Sequence, residues 1–276
     1  MIHSQRLFRV GAILTFCACT VAGAQQNATQ PAMAAAPGGT APAQAPSLTP
    51  PFNGYSFPQK QTLTYTVDWR VFQAGTAVFH LEQQGPMMKI SASADTIGAT
   101  NMIYQVVDRY QSSFNMQTGC SAGFSKQIQE GRRKITSDLS FNYPQNKQVL
   151  VERNVVKGTS KQTESSIPSC VTDSLSGIFY VASQQLLLGK DFKLPLGDAL
   201  RTVAITMKVE AKEDIKTPAG TFATIRVQPT ADAGVVKNRG TIQIWYTDDA
   251  RHIPVQMRAK LFWGTITFHL QSIEAK

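Results

Sequence analysis

Apolar and polar positions alternate with a period of two along most of the chain. In LTYTVDW, Leu63, Tyr65, Val67 and Trp69 fall on one side and Thr64, Thr66 and Asp68 on the other, as in a strand buried on one face. The same pattern predicts strands over 76–83, 88–97, 102–114, 123–130, 134–142, 147–156, 201–213, 221–228, 240–247, 253–261 and 264–273. Turns rich in Gly, Pro, Asn and Asp separate many of them, among them QGPM, NYPQN, KTPAGT and DDARH, so consecutive antiparallel pairing is expected. One segment departs from the pattern. In residues 172–189, TDSLSGIFYVASQQLLLG, the apolar residues Leu175, Ile178, Phe179, Ala182 and Leu186 recur at helical spacing. Thr172 or Asp173 can cap its start and Gly189 can end it. The predicted fold is therefore mainly β: a strongly curved antiparallel sheet, an open or nearly closed barrel, with one amphipathic helix packed on its concave face.

The ends of the chain read differently. Residues 1–24 combine Arg6 and Arg9, an apolar run from Val10 to Val21 and a small-residue AGA end, the form of a secretory signal peptide cut after Ala24. A lipoprotein anchored at Cys19 is the minor alternative, disfavoured by Phe16 and Cys17. Residues 25–59 hold no charged residue and are crowded with Ala, Pro and Gln, which predicts a disordered tether. Residues 60–276 then form a single β-rich domain with no further run long enough for a transmembrane helix. An exported protein is expected, periplasmic or beyond.

Charge and cysteines refine this picture. The leader carries two of the 27 basic and none of the 18 acidic residues, so its removal lowers the net charge from +9 to +7. A basic exported protein suits anionic lipid headgroups or acidic envelope polymers, whereas export disfavours nucleic acid as a partner. Only Arg132, Arg133 and Lys134 are consecutive, and an exposed turn accounts for them. Cys120 and Cys170 are the two cysteines left after the leader, which predicts one stabilising disulfide in an oxidising compartment.

Three motifs could carry chemistry. GCSAG, residues 119–123, has the GxSxG form of a nucleophilic serine, but the strand-like FSKQIQEG that follows makes Ser121 a turn residue beside the cystine. His80 and His269 alternate with polar positions and belong on the solvated face. In IWYTDDARHIPVQM, Asp248 and Asp249 lie close to His252, a grouping able to ligate a metal or move a proton. Strand patterns on both sides make the segment a solvent-exposed hairpin loop that binds no metal, with Pro254 marking an edge or a bulge. No catalytic residue, metal site or cofactor is assigned.

Several pieces of the chain, in order, resemble the bacterial family known as domain of unknown function 3108: LTYTVDWRVFQAGTAVFHL, IYQVVDRYQSSFN, the QEGRR hairpin, VTDSLSGIFYVASQQLLLG, EDIKTPAGTFATIRVQP, IQIWYTDDARHIPVQM and FWGTITFHL. That resemblance implies no activity. The hairpin with Trp, two Asp, Arg and Pro is also similar to the closing strands of periplasmic lipoprotein carriers related to localisation factors A and B. This similarity implies an open β barrel able to hold acyl chains. The function expected is a non-enzymatic cell-envelope protein binding a lipid or other apolar ligand, lined by Trp69, Phe79, Leu175, Ile178, Phe179, Leu186, Trp245, Phe262 and Phe268. A structural or protein-interaction module of the envelope, pairing an exposed strand with a partner, is the alternative, and a hydrolase using Asp248, Asp249 and His252 ranks third.

Overall fold

The computed structural model describes residues 46–198, 201–231, 240–261 and 264–275. Alternation becomes strand throughout: β1 (Lys60–Trp69), β2 (Phe72–Gln84), β3 (Met87–Thr96), β4 (Val107–Asn115), β5 (Ser121–Glu130), β6 (Arg133–Asn142), β7 (Lys147–Asn154) and β8 (Thr159–Ser166) in the first half. The second half holds β9 (Phe192–Asp198), β10 (Arg201–Thr217), β11 (Gly220–Thr230), β12 (Thr241–Thr247), β13 (Pro254–Leu261) and β14 (Gly264–Ala275). Two helices interrupt them, α1 (Gly98–Ile103) and α2 (Ser174–Ala182). All strands join one antiparallel sheet in the order β8-β7-β6-β5-β4-β3-β2-β1-β14-β13-β12-β11-β10-β9. Except at β1–β14, every neighbour in that order is also a neighbour in sequence, as short turns demand.

The sheet curls until its two ends approach without pairing. Gly197 of β9 lies so close to Phe141 and Gln148 of β6 and β7 that an added Cβ would sit 2.7 Å and 3.0 Å from their side chains. The segment between β8 and α2 bridges the gap: Val171 O accepts from Ser121 N, and Thr172 exchanges backbone hydrogen bonds with Pro195 and Gly197. The Cys120–Cys170 disulfide, with its Cα atoms 5.2 Å apart, ties the same two places together.

Helix α2 lies on the concave side. Its first turn is capped by Asp173, whose Oδ1 accepts from Leu175 N and Ser176 N, and Tyr246 OH of β12 donates to Ile178 O. The helix stops at Ala182, well before Gly189. Beyond it, Leu186 is still buried, Leu187 and Leu188 are exposed, and Gly189 N bonds Val209 O of β10. Residues 46–59 form no regular element but are packed: Phe52 N donates to Ser183 O, Thr49 N donates to Tyr180 OH, and the Phe57 ring meets Phe114 edge-on.

Three segments differ from the pattern-based expectation. Strand 102–114 begins only at Val107; residues 98–103 turn instead into α1, with Thr96 Oγ1 bonded to Asn101 Oδ1 and receiving Val106 N. The edge strands β8 and β9 were not expected. TSKQTESS has no apolar face, and FKLPLGD carries Pro195, so backbone pairing along a single neighbour defines both.

Candidate functional site

The concave centre is where the expected ligand-lining residues gather. Phe79, Leu175, Phe179, Leu186 and Phe268 are each at most 4% exposed. The Phe79 and Phe179 rings meet at 6.2 Å, and Tyr65 stands between Phe79 at 5.4 Å and Phe268 at 6.4 Å, all edge to face. Trp69 and Ile178 are partly buried against the same cluster. Trp245 is buried too, at 2% exposure, but makes polar contacts that the others lack. Its indole donates to Glu213 Oε1 at 2.8 Å and lies under the Arg258 guanidinium, while Tyr246 beside it reaches α2. Phe262 lies outside the described residues.

Alternation also points polar residues inward on β4 to β7. Asp108, Tyr110, Ser112 and Phe114 share the buried parity of β4, as do Phe124, Lys126, Ile128 and Glu130 on β5. Asp108 is 1% exposed; its Oδ1 accepts from Gln129 N at 3.0 Å and its Oδ2 from Tyr110 OH at 3.1 Å. Burial, reinforced by the Glu130 charge, pushes the Asp108 carboxyl up to about 7, because a low-dielectric setting penalises the ionised form. Glu130 is held by Arg133 at 3.2 Å. A carboxyl tuned to neutrality is a common feature of acid–base sites, but both carboxyls here are shut away from solvent. Although strand parity alone assigns these residues to the interior, they do not appear among the candidate site residues read from the sequence.

Ser121 is not a free nucleophile. Its hydroxyl donates to Asp173 Oδ2 at 2.6 Å and accepts from Asp173 N at 2.8 Å, while Ser112 Oγ bonds the same carboxylate oxygen at 2.7 Å. The GCSAG serine thus fixes the cap of α2, next to the disulfide.

The DDARH segment is a hairpin turn, with the predicted bulge where Tyr246 pairs Pro254, but its three polar residues diverge. Asp248 pairs with Lys212 Nζ at 2.7 Å, and Asp249 with the Arg251 guanidinium at 2.6 Å. His252 corrects the expectation of an exposed loop: it is 7% exposed, at φ 42°, and its Nδ1–H donates to Ala182 O at 2.8 Å. Phe52 covers the ring at 5.4 Å, and burial lowers the His252 pKa despite the acceptor carbonyls. Turn chemistry explains the aspartates, while the end of α2 and the packed segment before β1 explain the histidine. His80 is exposed, and His269 Nε2 lies 3.4 Å from Asp68.

Strands β2 to β6 form an open groove of about 580 Å³ of mixed character, lined by His80, Glu82, Lys89, Gln111, Asp138 and several serines together with Ile90, Phe124 and Leu139. Among the described residues no helix is long and apolar enough to cross a membrane.

The family model described as "Protein of unknown function (DUF3108)" matches residues 64–271. A β-barrel-like protein of domain of unknown function DUF1849 from Brucella abortus is similar in fold, with a TM-score of 0.51 at 12% identity over 79% of this chain and 98% of that one. A Bacteroides fragilis protein described as exported, with a YmcC-like fold, gives 0.34 at 10% identity over 83% and 100%. A Parabacteroides distasonis protein described as a lipoprotein gives 0.27 at 11% over 84% and 100%. No functionally curated protein matches the sequence.

Proposed function

Because the chain belongs to the DUF3108 family of proteins of unknown function, we propose its role from its geometry: a non-catalytic, exported envelope protein with a filled core that works through its surface. The observation that carries this reading is the Tyr65, Phe79, Phe179 and Phe268 cluster, where ring meets ring and side chains keep almost no accessible area. Residues around an empty chamber wide enough for an acyl chain would retain area facing it. Helix α2 fills the hollow, and the segment 46–59 covers the adjoining end. The competing reading, a lipid held among Trp69, Phe79, Leu175, Ile178, Phe179, Leu186 and Phe268, requires the helix to draw back from the sheet and open a space between them.

Titration with a fluorescent fatty acid separates the two. The filled-core reading expects no saturable uptake by the wild-type protein and a large stability loss for Phe179→Ala. Saturable uptake that Phe179→Ala weakens, with stability nearly unchanged, would return the interior to the role of a binding site.

A further inference from the structure

Large exposed apolar residues gather at one end of the barrel. Strands alternate in direction, so the β1–β2, β3–β4, β5–β6 and β7–β8 connections emerge at the same end. Val71 and Phe72 occupy the first, Ile97, Met102 and Ile103 the second, Val155 and Val156 the fourth. Met102 is 89% exposed and Ile103 73%. Backbone bonds stitch these tips into a continuous rim: Arg70 N to Thr265 O, Ile97 N to Ala74 O, Gly131 N to Gln105 O and Val155 N to Lys134 O. The opposite end is closed by α2 and by residues 46–59, whereas nothing among the described residues covers this one.

The charge on the rim selects its partner. Arg70, Arg132, Lys134, Lys157, Arg201 and Lys260 are exposed at its turns and strand ends. The described turn residues 70–71, 97–106, 131–132, 155–158, 231 and 240 include no Asp or Glu; of the acidic residues at the strand ends beside them, Glu130 is buried and bonded to Arg133, Asp95 is paired with Arg109, Asp68 lies beside His269 and Asp198 stands opposite Arg201 in register, so the cations are in excess. Apolar tips ringed by cations match an anionic bilayer surface, where the apolar side chains enter the acyl boundary and the cations meet phosphate. A protein partner with an acidic, apolar face would be less well matched by tips separated onto three connections.

We propose that this rim docks the protein on an anionic phospholipid membrane. The inference rests on the reading that the protein binds through its surface. Vesicle co-sedimentation of the full chain without its leader tests it, using phosphatidylcholine vesicles with and without phosphatidylglycerol. Binding is expected only to the anionic vesicles, and it should weaken at high salt as the charges are screened. Met102→Ser with Ile103→Ser, on exposed positions, should lower partitioning by about tenfold or more. Arg132→Glu with Lys157→Glu should remove the preference for phosphatidylglycerol. Leu187→Ser with Leu188→Ser, exposed apolar changes away from the rim, should leave binding unchanged. No sedimentation, or equal loss in the rim and Leu187/Leu188 variants, would overturn the proposal, as would a photocrosslinker at position 102 that captures a protein and no lipid in envelopes. Phospholipid carried off the vesicles in a soluble complex would instead defeat the filled-core reading, so the two failures are distinguishable.

Discussion

Replacing Asp108 with asparagine should flatten the pH dependence of stability between about pH 4 and pH 8. The wild-type carboxyl has a folded-state pKa of about 7 against an ordinary value of 3.8. Between these values the folded protein keeps a proton that the unfolded chain has released, so stability falls as pH rises; the contribution is intact below the lower value and fully lost above the upper. Each pH unit removes about 1.4 kcal/mol, which over the whole interval gives an upper figure of about 4 kcal/mol. Asparagine retains an oxygen to accept from Gln129 N and removes the charge that opposes Glu130. The variant should therefore resemble the wild type near pH 4 and exceed it by roughly 2 to 4 kcal/mol at pH 8. Urea unfolding followed by tryptophan fluorescence, repeated across that range, reads the difference as a shift in midpoint at constant slope. His252 and His269, whose pKa values burial lowers, destabilise the fold on the acid side in both proteins and cancel in the comparison. Glu130→Gln should keep part of the wild-type slope, because burial is the larger cause at Asp108. Parallel stability profiles for wild type and Asp108→Asn would refute the reasoning.

Phe179→Ala removes a ring packed on Phe79 and should cost about 3 to 5 kcal/mol by urea unfolding. Reducing Cys120–Cys170, which spans 50 positions, should lower stability by roughly 4 kcal/mol in the chain-entropy model, measured with and without a phosphine reductant. Phe57→Ala, losing its contacts with Phe114 and Tyr55, should cost about 3 kcal/mol and expose the segment 46–59 to limited proteolysis. Lys212→Ala breaks only a solvent-facing pair with Asp248 and should change stability by less than about 1 kcal/mol in the same assay.

Much of the sheet was legible because one face of each strand is buried. The alternation of Leu63, Tyr65, Val67 and Trp69, and of Ile266, Phe268 and Leu270, assigns those residues to the core side where they lie. The edges were not legible, since an edge strand such as TSKQTESS is defined by backbone pairing and needs no apolar stripe. Met102 and Ile103 differ in the opposite sense: the start of the apolar segment expected as strand belongs to an exposed turn of helix, a position that serves a surface better than a core. The candidate site is legible in the sequence through its apolar residues alone. Trp245 is buried as its apolar character suggests, but its bond to Glu213 depends on a partner distant in sequence, while Asp108, Lys126 and Glu130 share the buried parity of their strands and carry no apolar signal. His252 depended on contacts from Phe52 and Ala182, distant in sequence, which no local pattern carries.

Native mass spectrometry of the protein purified from its own cell envelope tests the filled core most directly. One species at the mass of the disulfide-bonded polypeptide is expected, because α2 and its aromatic neighbours pack together in the space enclosed by the sheet. A stoichiometric lipid adduct, lost on denaturation and retained in the Met102→Ser, Ile103→Ser variant, would contradict it.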